Sequence, residues 1–320
     1  MTAPATQQFD RRGIGGSQAA AAVGLNRWCA PIQLWQQLTE GFEQPENPAM
    51  KWGKILEAPI RQEYADQMGV RVVVPKEPVY RDEWKRAHPD GLVVDADDQP
   101  TRGLEVKTAG AHLADEWGDA GTDQVPIHYA VQCAWYMHVT DLPRWDLVTL
   151  IGGRDFRPYR LERDLEFEAD LVAGAEEFWL RYVLPGVPPP VDASSEYRDY
   201  LVRRWGKVHG EYRAATEDEE DLVADLLSAR AAVKQMEGQR ALLENQLRAA
   251  IADAAGLEST LGRVHCKPQV RRTVNWEALA RELATRERLS EEFLLQLVKE
   301  HTQESPPFRP LRLPREEHRG

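Results

Sequence analysis

Cysteines, long apolar runs and a leader-like start are scarce or missing in this sequence of 320 residues. The three cysteines, Cys29, Cys133 and Cys266, are far apart, and without a CxxC pair they predict no zinc or iron–sulfur site. No stretch approaches the roughly 20 apolar residues that are needed to span a bilayer. The start, MTAPATQQFD, has neither a basic region nor an apolar core, which argues against a signal peptide. We therefore expect a reduced cytoplasmic protein.

Basic residues are also fewer than acidic residues. The chain carries 40 lysines and arginines against 52 aspartates and glutamates, a net charge of −12. The deficit is not confined to a tail, because residues 10–190 hold 19 basic and 29 acidic side chains. This balance argues against a general polyanion-binding surface. Any nucleic acid must therefore meet a local basic track, with metal ions masking part of the acidic charge.

What the sequence does contain is typical of a globular protein, with 42% hydrophobic and 29% charged residues. Its length fits one large domain plus an appendage. Hydrophobic periodicity predicts helices first, then a small sheet, a helix, two paired strands and a last helix, an order typical of an α/β or α+β fold. The predicted helices are 31–41, 49–69, 126–139 and 164–184, the predicted strands are 70–74, 86–96, 103–109, 145–153 and 156–163, and 109–125 is a predicted loop.

Composition also divides the chain into segments. The run PGVPPP at 185–190 breaks the chain where a domain boundary is expected. The predicted segments are a disordered start (1–9), a first domain (10–190), a linker (191–215), a coiled-coil-like helix (216–256) and a small basic strand with a helix and a tail (257–320).

The long C-terminal helix has a heptad pattern. Thr216 and Glu219 form a capping-box pattern before it, and Gly256 follows it. Two interpretations stay open: a helix hairpin packed on the first domain, or a coiled coil with another chain. The basic strand after it, Arg263–Arg272, either contacts DNA or forms a solvated edge. The seam consists of Leu222, Leu226, Ala229, Val233, Met236, Leu243, Leu247, Ala250 and Ala254, interrupted by Arg240.

A carboxylate and an ammonium lie side by side in the predicted strand GLEVKTA. Alternate strand residues share a face, so Glu105 and Lys107 point one way while Leu104 and Val106 point the other. Burying charge in an apolar strand is expensive, which favours a functional reason for the pair. The alternative is a strand with one solvated face, and an E-x-K pattern taken alone favours that alternative.

The position of Asp90 favours the functional interpretation of the Glu105–Lys107 pair over the solvated strand face. Asp90 lies in HPDGLVV, fifteen residues before Glu105, and a strand, a turn and a second strand fit between the two. Such a hairpin brings both carboxylates to one edge of the sheet, and two hard oxygen ligands at one point suit Mg²⁺. Lys107 would then stabilise the charge that develops on a phosphate. The alternative for Asp90 is a turn cap after Pro89.

Three further polar residues are candidates for the same site. Glu57 falls beside the apolar stripe of the helix 49–69, at the edge of its buried face. Gln132 and Tyr136 form an i, i+4 pair on one face of the helix 126–139, where an amide is able to bind a phosphate or a metal-bound water. The alternatives are a solvated glutamate and ordinary polar residues on an amphipathic helix.

Several motifs stand in an order that resembles the YqaJ-type viral recombinase branch of the PD-(D/E)XK nucleases, the lambda-exonuclease-like proteins. The resemblance covers about residues 10–190. Gln18 departs from the pattern, because relatives often carry an acid at that position. The motifs are Glu57, Pro89-Asp90, Glu105-Val106-Lys107, Gln132-x-x-x-Tyr136, RRGIGGSQAAAAVGL, MKWGKILEAPIRQEYA and LIGGRDFRPYRLERD.

The resemblance implies a restriction-endonuclease-like core, with a mixed central sheet flanked by helices and a C-terminal helical appendage. It further implies one or two Mg²⁺ ions, with Mn²⁺ as a substitute, and a lysine, Lys107, that helps to activate water. Gln132 joins the catalytic set and Tyr136 supports it. The implied metal ligands are Glu57, Asp90, Glu105 and the Val106 carbonyl.

The same resemblance implies that Ser17, with Arg11 or Arg12, binds the terminal 5′ phosphate of DNA. From the residues alone, Ser17 is equally well explained as the N-cap of the helix AAAAVGL. The two roles are compatible, because a helix N-terminus attracts phosphate.

The function that the resemblance implies is 5′→3′ exonuclease activity on ends of double-stranded DNA, which supplies single strands for recombination by annealing. The family implies a ring-shaped homotrimer and a single-strand annealing protein as partner, in a bacterial host and encoded by a phage or prophage. One alternative is a restriction-like or repair endonuclease with the same metal chemistry. Another is a coiled-coil scaffold that carries an inactive nuclease fold.

Overall fold

A computed structural model describes residues 13–206, 210–268, 273, 275–287 and 289–302. The chain divides into two compact units, Met1–Arg204 and Trp205–Gly320. The predicted disordered start, residues 1–9, lies outside the described residues. Among the helices that are described, none combines the length and the apolarity that crossing a membrane requires.

A mixed sheet forms the centre of the first unit. The strands of this unit are β1 (Arg71–Val73), β2 (Val79–Arg81), β3 (Lys85–Ala87), β4 (Gly91–Val94), β5 (Pro100–Ala109), β6 (Arg144–Ile151) and β7 (Asp155–Glu162). Five of them are ordered β1-β4-β5-β6-β7, and β2 pairs with β3 in a separate ribbon. β5 and β6 run parallel, whereas the other neighbours run antiparallel. β5 is therefore the middle strand, with a neighbour on each side.

Helices cover both faces of this sheet. They are α1 (Gly16–Ala22), α2 (Pro31–Thr39), α3 (Pro48–Met68), α4 (Ile127–Thr140), α5 (Leu165–Phe178) and α6 (Ser195–Arg204). α3 packs against β5 and β6, while α4 contacts the same two strands and also packs against α1 and α5. The predicted fold class, an α/β core with a mixed central sheet flanked by helices, is confirmed.

Successive side chains of β5 point to opposite faces of the sheet. Leu104 and Val106 face α3, where they form a small buried cluster with Ile60 and Tyr64. Glu105 faces the opposite way, toward α4 and the main hydrophobic core. The central strand therefore supports an apolar layer on one face and a polar site on the other.

Two segments differ locally from the sequence prediction. The predicted loop 109–125 contains a 3-10 helix at Ala111–Glu116. The helix predicted to run from 164 to 184 changes after Phe178 into a π-helical turn at Trp179–Val183. Such short irregular turns have no periodicity of their own, so hydrophobic patterning does not distinguish them from their surroundings.

The first unit extends beyond the predicted boundary at residue 190, because α6 packs against α2. Tyr197 and Tyr200 are buried, and the Tyr200 ring meets the Trp35 ring edge-on at 5.9 Å. Arg203 donates a 2.9 Å hydrogen bond to Gln36. The predicted linker 191–215 therefore contains a structured helix.

The second unit begins with a long exposed helix, α7 (Glu217–Ile251). The predicted capping box is present, because the Thr216 backbone nitrogen donates to Glu219 at 2.9 Å. All the seam residues, Ala250 and Ala254 included, are exposed, and Arg240, which interrupts the seam, lies 3.5 Å from Glu244 on the same helix. Pairing of the seam with another helix stays a prediction.

A hairpin and two short helices follow α7. They are β8 (Gly256–Ser259), β9 (Gly262–His265), α8 (Trp276–Arg286) and α9 (Glu291–His301). The predicted basic strand Arg263–Arg272 is a strand as far as His265, and residues 269–272 lie outside the described part. Gly256 begins β8 instead of ending α7, and a β-carbon there would lie 1.9 Å from the Val264 carbonyl oxygen.

Candidate metal centre

Glu105 lies at the middle of the candidate site, on the central strand β5. Only 2% of the residue is exposed. Its Oε1 accepts a 2.5 Å hydrogen bond from Gln132 Nε2 and pairs with Lys107 Nζ at 2.5 Å. Its Oε2 is buried and has no hydrogen-bond partner among the described residues. Burial raises the pKa of Glu105, and the charge of Lys107 opposes that shift.

Asp90 immediately precedes β4, one position beyond the register pair Gly91–Leu104. The hairpin therefore brings Asp90 next to Glu105, as the spacing in the sequence predicts. Asp90 Oδ2 accepts a 2.8 Å hydrogen bond from the Val106 backbone nitrogen. Burial, together with the charge of Glu105, raises the pKa of Asp90 to about 8. Asp90 and Glu105, whose pKa values are both raised, thus lie side by side at this edge of the sheet.

The Val106 carbonyl belongs to the same edge. In an antiparallel ladder, the N–H and C=O of one strand residue point to the same neighbouring strand. Because the Val106 N–H reaches Asp90, the Val106 carbonyl also faces the side where β4 begins. Asp90, Glu105 and Val106 therefore present oxygen atoms around one segment of β5.

Lys107 follows Glu105 on the same face of β5. Its Nζ lies 5.1 Å from the centre of the Tyr129 ring, in addition to its contact with Glu105. Burial lowers the pKa of Lys107, but the charges of Glu105 and Asp90 outweigh burial and raise the pKa above its usual value. Lys107 is therefore a fixed ammonium that stays charged beside the two acids.

Gln132 and Tyr136 connect this site to α1. Gln132 Nε2 lies 3.2 Å from the Tyr136 hydroxyl as well as 2.5 Å from Glu105. α1 packs directly on the pair: a β-carbon added to Gly16 would lie 2.4 Å from Tyr136 Cε1 and 2.9 Å from Gln132 Cγ. Only glycine therefore allows α1 to approach α4 so closely.

Glu57 approaches the acid pair from α3. Arg61 Nη1 donates to Glu57 Oε1 at 2.8 Å and to the Asp90 carbonyl oxygen at 2.9 Å. Besides burial, the charge of Glu57 contributes to the raised pKa of both Asp90 and Glu105. The Glu57 carboxylate is thus close enough to affect the pKa values of both acids. Arg61, which was not a candidate from the sequence, donates a hydrogen bond to Glu57.

His128 is a second residue that sequence reasoning missed. It is buried on α4, its ring centre lies 4.0 Å from that of Tyr129, and its Nε2 has no hydrogen-bond partner in the described residues. Burial and the charges of Arg27 and Lys107 lower the pKa of His128 to about 4, so the ring is neutral at pH 7. Its position one turn before Gln132 was the available sequence signal.

The donor set fits a divalent cation with oxygen ligands. Across the residues that the structure describes, no three His, Cys, Asp or Glu side chains are close enough to hold a metal ion alone. The unpartnered Glu105 Oε2 and the raised pKa values of Glu105 and Asp90 mark surplus negative charge that a hard cation would neutralise. Mg²⁺ keeps several waters in such sites, so two carboxylates and the Val106 carbonyl suffice as a protein ligand set.

The predicted phosphate-binding residues lie at the start of α1. The helix begins at Gly16, so Gly15 is its N-cap and the prediction of Ser17 as N-cap is wrong. The reason is that Gln18 reaches back and accepts a 2.9 Å hydrogen bond from the Gly15 nitrogen. Ser17 is exposed at the second helical position. Arg11 and Arg12 lie outside the described residues.

Comparison with known proteins shows the family to which this chain belongs. A family model described as the YqaJ-like viral recombinase domain matches residues 7–143. The uncharacterized protein YqaJ of Bacillus subtilis (strain 168) is 30% identical over 252 residues, which is 76% of each chain. The chain therefore belongs to the YqaJ-like viral recombinase family, and the resemblance deduced from the sequence motifs is confirmed.

Two solved structures are also similar. An alkaline exonuclease from Laribacter hongkongensis (LHK-Exo) is 20% identical with a TM-score of 0.42, over 61% of this chain and 93% of that one. A phage related exonuclease from Haemophilus somnus 129PT is 11% identical with a TM-score of 0.42, over 54% of this chain and 96% of that one.

Proposed function

We propose that the protein is a Mg²⁺-dependent deoxyribonuclease that hydrolyses double-stranded DNA from its ends in the 5′→3′ direction. The observation that carries the proposal is the arrangement of the half-buried Asp90 and the buried Glu105 beside the Lys107 ammonium. An acid whose pKa is shifted by burial together with a specific charged partner is a candidate for a functional site. Membership in a viral recombinase family supports DNA as the substrate.

Asp90, Glu105 and the Val106 carbonyl would hold the Mg²⁺ ion, or Mn²⁺ in its place, and Glu57 would face the same ion from α3. When bound, the ion supplies a Lewis acid that polarises the phosphate and lowers the pKa of a water molecule. Gln132 fixes the Glu105 carboxylate through Oε1, which leaves Oε2 as the ligand atom. The Val106 N–H orients Asp90 in the same manner.

Lys107 provides the positive charge that the transition state needs. Its ammonium is fixed between Glu105 Oε1 and the Tyr129 ring, so little reorganisation is required when phosphate approaches. A fixed donor stabilises the negative charge that develops on phosphate oxygens more than it stabilises the ground state. The same ammonium orients the attacking water.

The 5′ end of the DNA binds, in this proposal, beside α1. Ser17 is exposed there, and Arg11 and Arg12 precede it in the sequence. Because Gly16 packs on Gln132 and Tyr136, the beginning of α1 is close to the acids. A terminal phosphate held by Ser17 would thereby place the first phosphodiester near Glu105.

We further propose that the protein is encoded by a phage or prophage and acts as a homotrimer in the cytoplasm of the bacterial host. Its product, single-stranded DNA, would pass to a single-strand annealing protein. The acidic net charge of −12 requires that basic side chains be concentrated where DNA runs.

The proposal is tested with 5′-phosphorylated linear duplex DNA and a covalently closed circle of the same sequence. We expect Mg²⁺ to support digestion of the linear substrate, with release of nucleotides from a 5′-labelled strand first. Excess chelator should stop the reaction, and Asp90→Ala and Glu105→Ala should each abolish it.

The other outcomes point to different functions. Cleavage of the closed circle at a comparable rate would make the protein an endonuclease. Release from the 3′ end first would reverse the polarity. No digestion of either substrate with Mg²⁺ or Mn²⁺ would support a scaffold with an inactive nuclease fold.

A further inference from the structure

A proline interrupts α3 at the level of the candidate site. Pro59 lies inside this helix and has no N–H, so it cannot donate the helical hydrogen bond to Ile55. On the C-terminal side of Pro59, Ile60 and Tyr64 are 4% and 1% exposed and anchor the helix to the sheet. On the N-terminal side, residues 48–55 are almost entirely exposed. Glu57 thus belongs to the less firmly anchored half.

Arg61 spans this interruption. It stands on the anchored half, and its Nη1 donates both to Glu57 Oε1 at 2.8 Å and to the Asp90 carbonyl oxygen at 2.9 Å. The Arg61 side chain is only 18% exposed. An ordinary i, i+4 pair contributes little, but here one nitrogen links two residues of the acid cluster that lie on different elements.

We propose that Arg61 is a positioning residue, which holds Glu57 in a fixed place relative to Asp90 so that both acids face one divalent cation. The inference rests on the proposed metal-dependent function. Arg61 occupies Oε1 of Glu57, which leaves Oε2 for the cation. Groups that hydrogen-bond to a metal ligand set its orientation, and their loss typically weakens metal binding 10–100-fold.

The positive charge of Arg61 opposes metal binding, whereas its hydrogen bond to Glu57 favours metal binding, and the experiment must separate these two effects. A guanidinium near the site repels a cation, so a neutral replacement would remove repulsion and orientation together. Arg61→Lys keeps the charge. Its ammonium, however, stands one bond short of the position of Nη1, and it lacks the planar, preorganised geometry of the guanidinium. Arg61→Lys therefore isolates the orienting effect.

The experiment is a calorimetric titration of the full chain with Mg²⁺ and with Mn²⁺. The variants are Arg61→Lys, Glu57→Gln and the double variant. Arg181→Lys is the matched control, because Arg181 forms an exposed i, i+4 pair with Glu177 at 3.0 Å. We expect Arg61→Lys to weaken metal binding about tenfold. In the Glu57→Gln background it should cause no further loss, and Arg181→Lys should bind as the wild type does.

The titration distinguishes the inference from the function on which it rests. Wild type that binds neither metal would overturn the proposed function and the inference with it. If wild type binds and Glu57→Gln weakens binding, unchanged affinity in Arg61→Lys contradicts the inference alone. An equal loss in the Glu57→Gln background contradicts it too, because Arg61 would then not act through Glu57. Melting temperatures in chelator, equal for all variants, exclude general unfolding as the cause.

Discussion

Asp90 has a pKa of about 8 in the folded protein, mainly because it is buried, and next because Glu105 carries like charge. The ordinary value for an aspartate, 3.8, applies to the unfolded chain. The folded state therefore holds this proton more tightly than the unfolded state does. Its stabilising contribution is complete below about pH 4 and is lost as the pH rises toward 8. In the absence of metal, the acid pair thus destabilises the fold at neutral pH.

Asp90→Asn should raise the melting temperature in chelator, because the amide carries no charge to bury. The increase should be largest near pH 8, at least a few degrees, and should shrink as the pH falls toward 5. Thermal unfolding between pH 5 and 8 measures it, with Asp170→Asn, an exposed site on α5, as control. An increase that does not vary with pH would mean that Asp90 is not the titrating group. The same variant should have no nuclease activity.

Lys107→Ala should lower turnover far more than DNA affinity. A fixed charge beside the scissile phosphate acts mainly in the transition state, and losing one such donor costs on the order of 100-fold in rate. Single-turnover cleavage in Mg²⁺ gives the rate. Binding in Ca²⁺, which accepts the same ligands with looser geometry, gives the affinity without cleavage.

The control for this measurement is Lys54→Ala, an exposed lysine paired with Glu46, which should keep its rate. Comparable losses of rate and affinity in Lys107→Ala would make Lys107 a simple DNA contact. Efficient cleavage in Ca²⁺ alone would contradict the metal mechanism itself.

Sequence reasoning located Asp90, Glu105 and Lys107 because their relation is local: one strand alternates, and one hairpin has a fitting length. It missed Arg61 and His128 for a physical reason. An arginine four residues after a glutamate predicts an ordinary helical pair, and its second bond, to the Asp90 carbonyl, depends on how α3 packs on the sheet. A single sequence does not contain that packing.

At the scale of elements, α1 packs closely on α4 and so supports the site. A β-carbon on Gly16 would lie 2.4 Å from Tyr136 Cε1, and buried rings have little room to move. Gly16→Ala should therefore push α1 away, disturb Gln132 and destabilise the fold by about 1–3 kcal/mol. Nuclease activity should fall with it, because Gln132 holds the Glu105 carboxylate.

Gly238→Ala is the matched control for this substitution. Gly238 lies inside α7, and no atom of the described residues comes within 4 Å of its would-be β-carbon, so alanine should be neutral or stabilise that helix by up to about 1 kcal/mol. Chemical denaturation of both variants provides the comparison. A Gly16→Ala protein of unchanged stability and activity would show that α1 is free to shift without affecting the acids.

Elements with long periodic patterns were predictable, and short ones were not. α3, α4 and the β6–β7 pair have apolar spacing over eight residues or more, and the structure contains them where the pattern indicates. α6 has the polar sequence SEYRDYLVRR, in which Tyr197 and Tyr200 are the buried residues. Two tyrosines in ten residues give too little periodicity to indicate a helix, so the sequence predicts a linker there.

On the scale of the whole molecule, the two units differ in how they are stabilised. The first unit has an extensive buried core, whereas in the described part of the second unit only Ile251 and Ala284 are buried hydrophobic residues. The predicted catalytic set lies entirely in the first unit. Catalysis should therefore be separable from the second unit, provided that the first unit keeps α6.

Two shortened chains test this separation. A chain that ends at Arg213 should melt cooperatively and keep metal-dependent cleavage, because it retains α6 and the whole core. A chain that ends at Pro190 lacks Tyr197 and Tyr200 and uncovers Trp35. Each tyrosine buries about 150–250 Å², so the loss amounts to several kcal/mol, a large part of the stability of a typical domain. We expect the melting temperature of the Pro190 chain to lie about ten degrees or more below that of the full chain, unless the Pro190 chain fails to fold at all.

The Arg213 chain then shows what the second unit contributes. With its exposed seam and the basic residues after β8, that unit is expected to bind an annealing protein or to retain DNA, so the shortened chain should cleave but lose one of these two interactions. Sedimentation, partner pull-down and digestion of long duplex DNA against excess competitor measure them separately. If the Arg213 chain loses cooperative melting, the second unit belongs to the folding core of the first. If it cleaves, binds and retains DNA as the full chain does, the second unit has neither proposed role.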